Sequence, residues 1–358
     1  MRKIVIVLLT AFMTVMFGTN LTNVMAADNA EDVMVGVSLP TKSLQRWNQD
    51  GEYLEEELTD MGYEVDLQFA ENKTELQVSQ IDNMITKGAK VIIVSPIDVS
   101  TLTNVLDAAK QQDIRIISYD RLIINTDAVD YYATFDNTII GQIIGKYIVD
   151  TLELEEGKGP FNMEIVSGPN SDATRVLFDA AVAEVQPYID NGQLVIRSGQ
   201  TDMEQTATPN WEEKEAQARM DNILTAYYSE EHLDAVLCLN DSVSLGSQSA
   251  LKAAGYGTDE NPMPIMTGQD CDIANVKAII AGDQSMSVFK DTKILAAAVA
   301  KMTDQIIQGE TVTVNDTENY DNFAKIVPSY LLESQFVDAN NWEELLVEGG
   351  YYTMEELQ

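Results

Sequence analysis

The chain has 358 residues, and 58 acidic against 22 basic side chains give it a formal net charge of -36. That balance excludes nucleic acid and anionic lipid surfaces, which are held by basic stripes. The hydrophobic fraction of 45% is enough for one large core or two of ordinary size.

Arg2 and Lys3 precede an apolar run over residues 4–17, and Val24-Met25-Ala26-Ala27 follows after polar residues. A charged start, an apolar middle and a small-residue cleavage site predict a signal peptide over residues 1–26. The apolar run falls short of the roughly 20 residues that span a bilayer. No cysteine lies near the cleavage site to carry a lipid anchor, so an exported protein, periplasmic or secreted, is expected.

Residues 33–39 (VMVGVSL) read as a strand buried on both faces. A loop and helix follow, to residue 61, with Gly62 as the stop. Residues 64–69 predict a strand, 74–87 a helix, 91–94 a strand and 100–111 a helix. Two β-type runs, 114–118 and 131–135, each end in a polar cluster, Tyr119-Asp120-Arg121 and Asp136-Asn137. The second half repeats the plan. Strands are predicted over 161–166, 194–197, 235–239, 264–267 and 285–289, with helices between them and a long helix to residue 307. Beyond residue 325 the pattern mixes β and helical pieces.

Strand–helix alternation of this kind predicts an α/β fold with parallel sheets covered on both faces. Roughly ten such units fit two sheets better than one. Two cysteines, Cys238 and Cys271, make no disulfide framework and read as separate buried thiols. With His232 as the one histidine, no metal site and no Ser-His-Asp arrangement is expected.

Ligands of open α/β sheets bind outside the carboxyl ends of the strands. The polar residues there are Lys42, Arg46 and Trp47; Asp98; Asp120 and Arg121; Asn137; Asn170, Asp172 and Arg175; Trp211; Asn240 and Asp241; Gln269 and Asp270; and Lys290. Planar donor forks beside carboxylates match vicinal hydroxyls. A tryptophan offers an apolar face to the C–H side of a sugar ring. Each position also has a structural reading: Asp120 as a partner of Arg121, Trp47 as core, and Asn137, Asp241 and Asp270 as helix caps. Phosphate-loop, GxGxxG and GxSxG motifs are missing from the sequence. Paired carboxylates are plentiful, so a secreted glycoside-active enzyme stays open as the less favoured reading.

The segments PTKSLQRW, LQVSQIDNMITKGAKVIIVSPID, ISYDRLI, YYATFDN, GKGPFNMEIVSG, IIAGDQSMSVFKDT and VEGGYY stand in this order along the chain. On them the sequence resembles the periplasmic monosaccharide-binding proteins of ABC importers, in the D-xylose-binding and multiple-sugar-binding branch of the ribose/galactose-binding superfamily. The resemblance implies a type I periplasmic binding protein: two Rossmann-like lobes joined by a three-crossing hinge. It places residues 33–136 and about 270–287 in the N-terminal lobe, 137–269 and about 288–340 in the C-terminal lobe, and 341–358 in a tail. The crossings are expected near residues 135–136, 268–269 and 289–290, with the helix at 271–281 returning to the first lobe. Carried over residue by residue, the sugar contacts are Arg46, Asp98, Arg121, Asn137, Trp211, Asp241, Asp270 and Lys290, with Lys42 and Trp47 beside the first. Asp172, Arg175 and Asn240 join them on the second-lobe wall, where SGPNSDATR and LCLND depart from the branch's pattern. The implied role is capture of a xylose-, glucose-, galactose- or arabinose-type sugar and its delivery to an ABC permease by a monomer without cofactor or metal. A sensor that presents its closed form to a membrane kinase or chemoreceptor is the alternative.

Overall fold

The computed structural model describes residues 33–358, apart from the side chains of Asp172 and Ala173. The expected signal peptide lies outside the described residues. The apolar run after it is buried at every position and forms β1 (Met34–Leu39). In chain order come α1 (Gln45–Asp60), β2 (Glu64–Phe69), α2 (Thr74–Lys87), β3 (Val91–Val94), α3 (Thr103–Lys110), β4 (Arg115–Tyr119) and β5 (Tyr131–Phe135). The second half begins with α4 (Asn137–Thr151), β6 (Phe161–Val166), α5 (Asp172–Asp190), β7 (Leu194–Val195), α6 (Met203–Thr206), α7 (Glu213–Tyr227), β8 (Ala235–Cys238) and α8 (Asp241–Ala253). It continues with β9 (Ile265–Met266), α9 (Ile273–Ala281), β10 (Met286–Phe289), α10 (Thr292–Gln308), β11 (Ser329–Leu332), β12 (Gln335–Asp338) and α11 (Met354–Leu357).

A parallel six-stranded sheet runs in the order β11-β5-β4-β3-β1-β2. A parallel four-stranded sheet runs β7-β6-β8-β9. β10 lies past its open edge through a parallel bridge from Gln269 to Val288, and β12 pairs antiparallel with β10. Helices cover both sheets. α4 and α5 approach closely because Gly141 and Gly145 have no side chain: a Cβ there would stand 2.5 Å from the Leu177 carbonyl oxygen and 2.4 Å from that of Ala181.

Among the described residues the chain passes between the sheets three times: after β5, after β10 and between β11 and β12. Two expected placements are corrected. α9 packs against α8 and β10, so it stays with the second sheet. α10 packs on α1, and β11 hydrogen-bonds to β5, so residues 292–332 belong with the first sheet and not the second. The expected crossing at 268–269 is absent for the same reason, since Gln269 bridges to β10 and its carbonyl accepts the Asp241 N–H at 3.0 Å. A strand as short as SYLL carries too little pattern to declare its sheet; register with β5 decides it.

The tail is ordered against the crossings. Leu346, Tyr351, Tyr352 and Leu357 share a core with Cys271, Val276, Phe289 and Val337. Cys238 and Cys271 are both buried free thiols, as the reading of two separate cysteines expected.

Candidate functional site

The carboxyl ends of both sheets face one cleft of about 570 Å³. The first sheet brings Arg46 and Trp47 on the first turn of α1, Asp98 after β3, and Asp120 and Arg121 after β4. From the second side come Asn137 on α4, Asn170 and Thr174 after β6, Trp211 before α7, Asn240 after β8, Gln269, Asp270 and Asp272 after β9, and Lys290 after β10. Asp136 caps α4 by accepting the Thr138 N–H at 2.9 Å, so Asn137 is not needed as a cap and can face the cleft.

Charge alternates across the centre. The Arg46 guanidinium lies 2.6 Å from Asp120 and 3.2 Å from Asp270. Lys290 lies 2.8 Å from Asp270 and 3.8 Å from Asp120. Arg46 and Lys290 are both nearly enclosed, at 5% and 4% exposure, so these pairs are little screened. The Arg46 Nη2 contact with Asp120 is an ion pair off the hydrogen-bond axis, and that nitrogen has no hydrogen-bond acceptor. Burial pushes the Asp120 carboxyl up, and Arg46, Lys290 and Arg121 outweigh it, so Asp120 sits below the usual carboxylate range. Burial drives the Asp272 carboxyl up to about 7, with the Asp270 charge adding to it. The buried Oδ1 of Asp272 and Oε1 of Gln269 have no hydrogen-bond partner.

Trp47 is buried and carries two guanidiniums near its ring, Arg46 and Arg121, each with Cζ 5.1 Å from the centroid. Arg121 donates from Nη1 to the Pro96 carbonyl at 3.0 Å. Asp120 is the ion-pair partner of Arg46 and Lys290, which corrects its expected role as the neighbour-partner of Arg121. Trp211 reaches the cleft over Gly168, where a Cβ would stand 2.2 Å from the indole. Its carbonyl accepts the Ser242 hydroxyl at 2.7 Å. Asp120, Asn210, Trp211 and Asp270 all have left-handed backbones, with φ of 61°, 54°, 59° and 100°. Each is a costly conformation that its surroundings must impose, and such positions gather at functional sites.

Three expected contacts lie elsewhere. Lys42 is exposed, with its ammonium 4.8 Å from the Phe69 ring centroid. Arg175 is exposed on α5 and donates to Asn170 at 3.2 Å. Asp241 is fully buried beneath the cleft floor, accepting from Ser287 Oγ at 2.8 Å, Gln284 Nε2 at 3.1 Å and the Asp272 N–H at 2.9 Å. Burial, then the charges of Asp272 and Asp270, push its carboxyl well above the usual range. The side chain of Asp172 lies outside the described residues. Asp98 lines the rim, but its Oδ1 accepts both the Ser100 N–H at 2.8 Å and the Ser100 hydroxyl at 2.7 Å. Asn240 lines the cleft and also caps α8, accepting the Val243 N–H at 3.0 Å. Asp272 and Thr174 escaped the reading of strand ends because they lie several residues beyond them; an acidic residue two positions after Asp270 was the available signal.

A family model described as a periplasmic binding protein domain matches residues 35–311. The chain belongs to the periplasmic binding protein family. It is 47% identical over 330 residues to the multiple sugar-binding periplasmic receptor ChvE of Rhizobium radiobacter, covering 92% of this chain and 93% of that one. It is 32% identical over 338 residues to the D-xylose-binding periplasmic protein of Escherichia coli, covering 94% and 96% of the two chains. Its fold superimposes with a TM-score of 0.87 on an ABC transporter solute-binding protein of Clostridium phytofermentans solved with β-D-glucose, at 51% identity over 91% of this chain and all, 100%, of that one. The fold is thus that of a type I periplasmic binding protein, as the resemblance implied. As a member of that family the chain is a solute-binding protein and not an enzyme, which sets aside the glycoside-hydrolysing reading.

Proposed function

We propose that this periplasmic binding protein captures one monosaccharide of the xylose, glucose, galactose or arabinose type between its lobes and delivers it to an ABC permease. The observation that carries this is the ring of alternating charge, Arg46, Asp120, Lys290 and Asp270, in a cleft also lined by Trp47 and Trp211. Fixed donors and acceptors in alternation suit neighbouring hydroxyls, each of which donates and accepts. Indole faces suit the apolar side of a pyranose ring. Arg46, Trp47, Asp98, Arg121, Asn137, Trp211, Asn240, Asp270 and Lys290 supply the contacts in this proposal, with Asp120 added and Lys42, Arg175 and Asp241 removed from the wall. The export signal read in residues 1–26 sets this capture outside the cytoplasm.

Titration calorimetry of the mature protein with D-xylose, D-glucose, D-galactose and L-arabinose tests the proposal. One site per chain is expected for at least one of them, with a change in tryptophan fluorescence. Silence across the whole panel sinks it.

A further inference from the structure

One fully buried carboxylate touches the cleft only through another side chain. Asp50 lies on α1 one turn after Arg46, with 0% exposure, and does not line the cleft. Its Oδ2 accepts from Arg46 Nε at 3.0 Å and its Oδ1 accepts the Tyr119 hydroxyl at 2.5 Å. Tyr119 is itself buried, on the last residue of β4, immediately before Asp120.

A guanidinium on a flexible stem can point in many directions. Nε is the nitrogen nearest that stem, and fixing it fixes the plane of the fork. With Nε on Asp50, Nη1 meets Asp270 and Nη2 meets Asp120. Asp50 is held in turn by Tyr119 from β4, so the fork is referenced to the sheet and not to α1 alone. Burying a charged carboxylate away from the ligand is costly unless it is paired. Here its pairing is spent on a side chain that faces the cleft.

Building on the sugar-binding proposal, we infer that Asp50, with Tyr119 behind it, is a positioning residue for ligand capture that acts through Arg46. Asp50→Asn keeps the volume but offers one acceptor oxygen where two were used, and its amide nitrogen opposes either Arg46 Nε or the Tyr119 hydroxyl. Tyr119→Phe removes a single donor and leaves both charges.

The test is calorimetry of the sugar that the wild-type protein binds, on Asp50→Asn, Tyr119→Phe, Arg46→Lys and the Asp50→Asn/Arg46→Lys double variant, with a thermal melt of each. Asp50→Asn is expected to weaken binding at least tenfold and Tyr119→Phe severalfold. In the Arg46→Lys background, which has no Nε, Asp50→Asn should change affinity less than twofold. A purely structural role would give the same loss in both backgrounds, and that result overturns the inference. So does wild-type affinity in Asp50→Asn. If Asp50→Asn does not melt cooperatively, Tyr119→Phe decides: unchanged affinity counts against the inference and a severalfold loss supports it. A wild-type protein silent to every sugar overturns the sugar proposal itself, and the inference with it.

Discussion

Trp211 stands in the cleft only because residue 168 has no side chain. A methyl there would overlap the indole, with atoms at 2.2 to 2.4 Å. Gly168→Ala must therefore displace the ring, and we expect a loss of about 1–3 kcal/mol in stability together with altered tryptophan fluorescence and weakened sugar binding. Calorimetry and thermal melts check both. Two further residues make stability depend on pH. Burial raises the Asp50 carboxyl to about 6 and the Asp272 carboxyl to about 7, against 3.8 for an ordinary aspartate. Between those values the folded chain holds protons that the unfolded chain has released. Folding stability from these groups is therefore fully present below about 4 and is lost as pH rises through 6 to 7. The melting temperature should fall between pH 5 and pH 8, and Asp272→Asn should flatten that slope; a wild-type curve that rises across this range contradicts the assignment.

At the scale of elements, the tail closes the structure around the crossings. The Tyr352 hydroxyl accepts from Gln45 Nε2 at 3.0 Å and Gln49 Nε2 at 3.1 Å, both on α1, and donates to the Cys271 carbonyl at 2.9 Å before α9. One hydroxyl so links a helix of the first sheet to a segment of the second. Tyr351 adds a hydroxyl pair with Thr292 at 2.8 Å, at the start of α10. Tyr352→Phe leaves two amides and a carbonyl short of a partner, and should cost about 1–3 kcal/mol, measured by denaturant unfolding. A shift in midpoint with an unchanged m-value would show that the loss is one of stability. These contacts join residues from 59 positions apart, Thr292 and Tyr351, to 307, Gln45 and Tyr352, so no local pattern announces them.

At the scale of the molecule, residues of both sheets line one cleft, and two of the passages between the sheets, after β5 and after β10, bring Asn137 and Lys290 to its wall. Under the proposed capture, a sugar held between the sheets would make contacts that a closed arrangement completes, and binding would then shift the population toward closure. The radius of gyration should shrink when sugar is added, and small-angle scattering that shows no change would contradict a hinged mechanism. The net charge of -36 acts on the whole surface. Self-repulsion of that size opposes compaction and is screened by salt. The melting temperature without sugar should rise as ionic strength increases, an effect readable by differential scanning calorimetry.

The sequence by itself determined the alternation of strands and helices, because period and punctuation are local properties of the chain. It also determined that Arg46, Trp47, Arg121, Asn137, Asp270 and Lys290 stand at strand ends, which is where an open parallel sheet presents its ligand. Tertiary structure decided which of those residues face the cleft. Asp241 follows the cap of α8 as naturally as Asn137 follows that of α4, yet one turns under the floor and the other lines the wall, because Ser287 and Gln284 wait only beneath the first. It decided that Lys42 points away and that Asp120 pairs with Arg46 across 74 positions of sequence, from 46 to 120. It also decided that α10 and β11 return to the first sheet. Each of these depends on partners brought together by folding, and a residue's own neighbours in the chain carry no record of them.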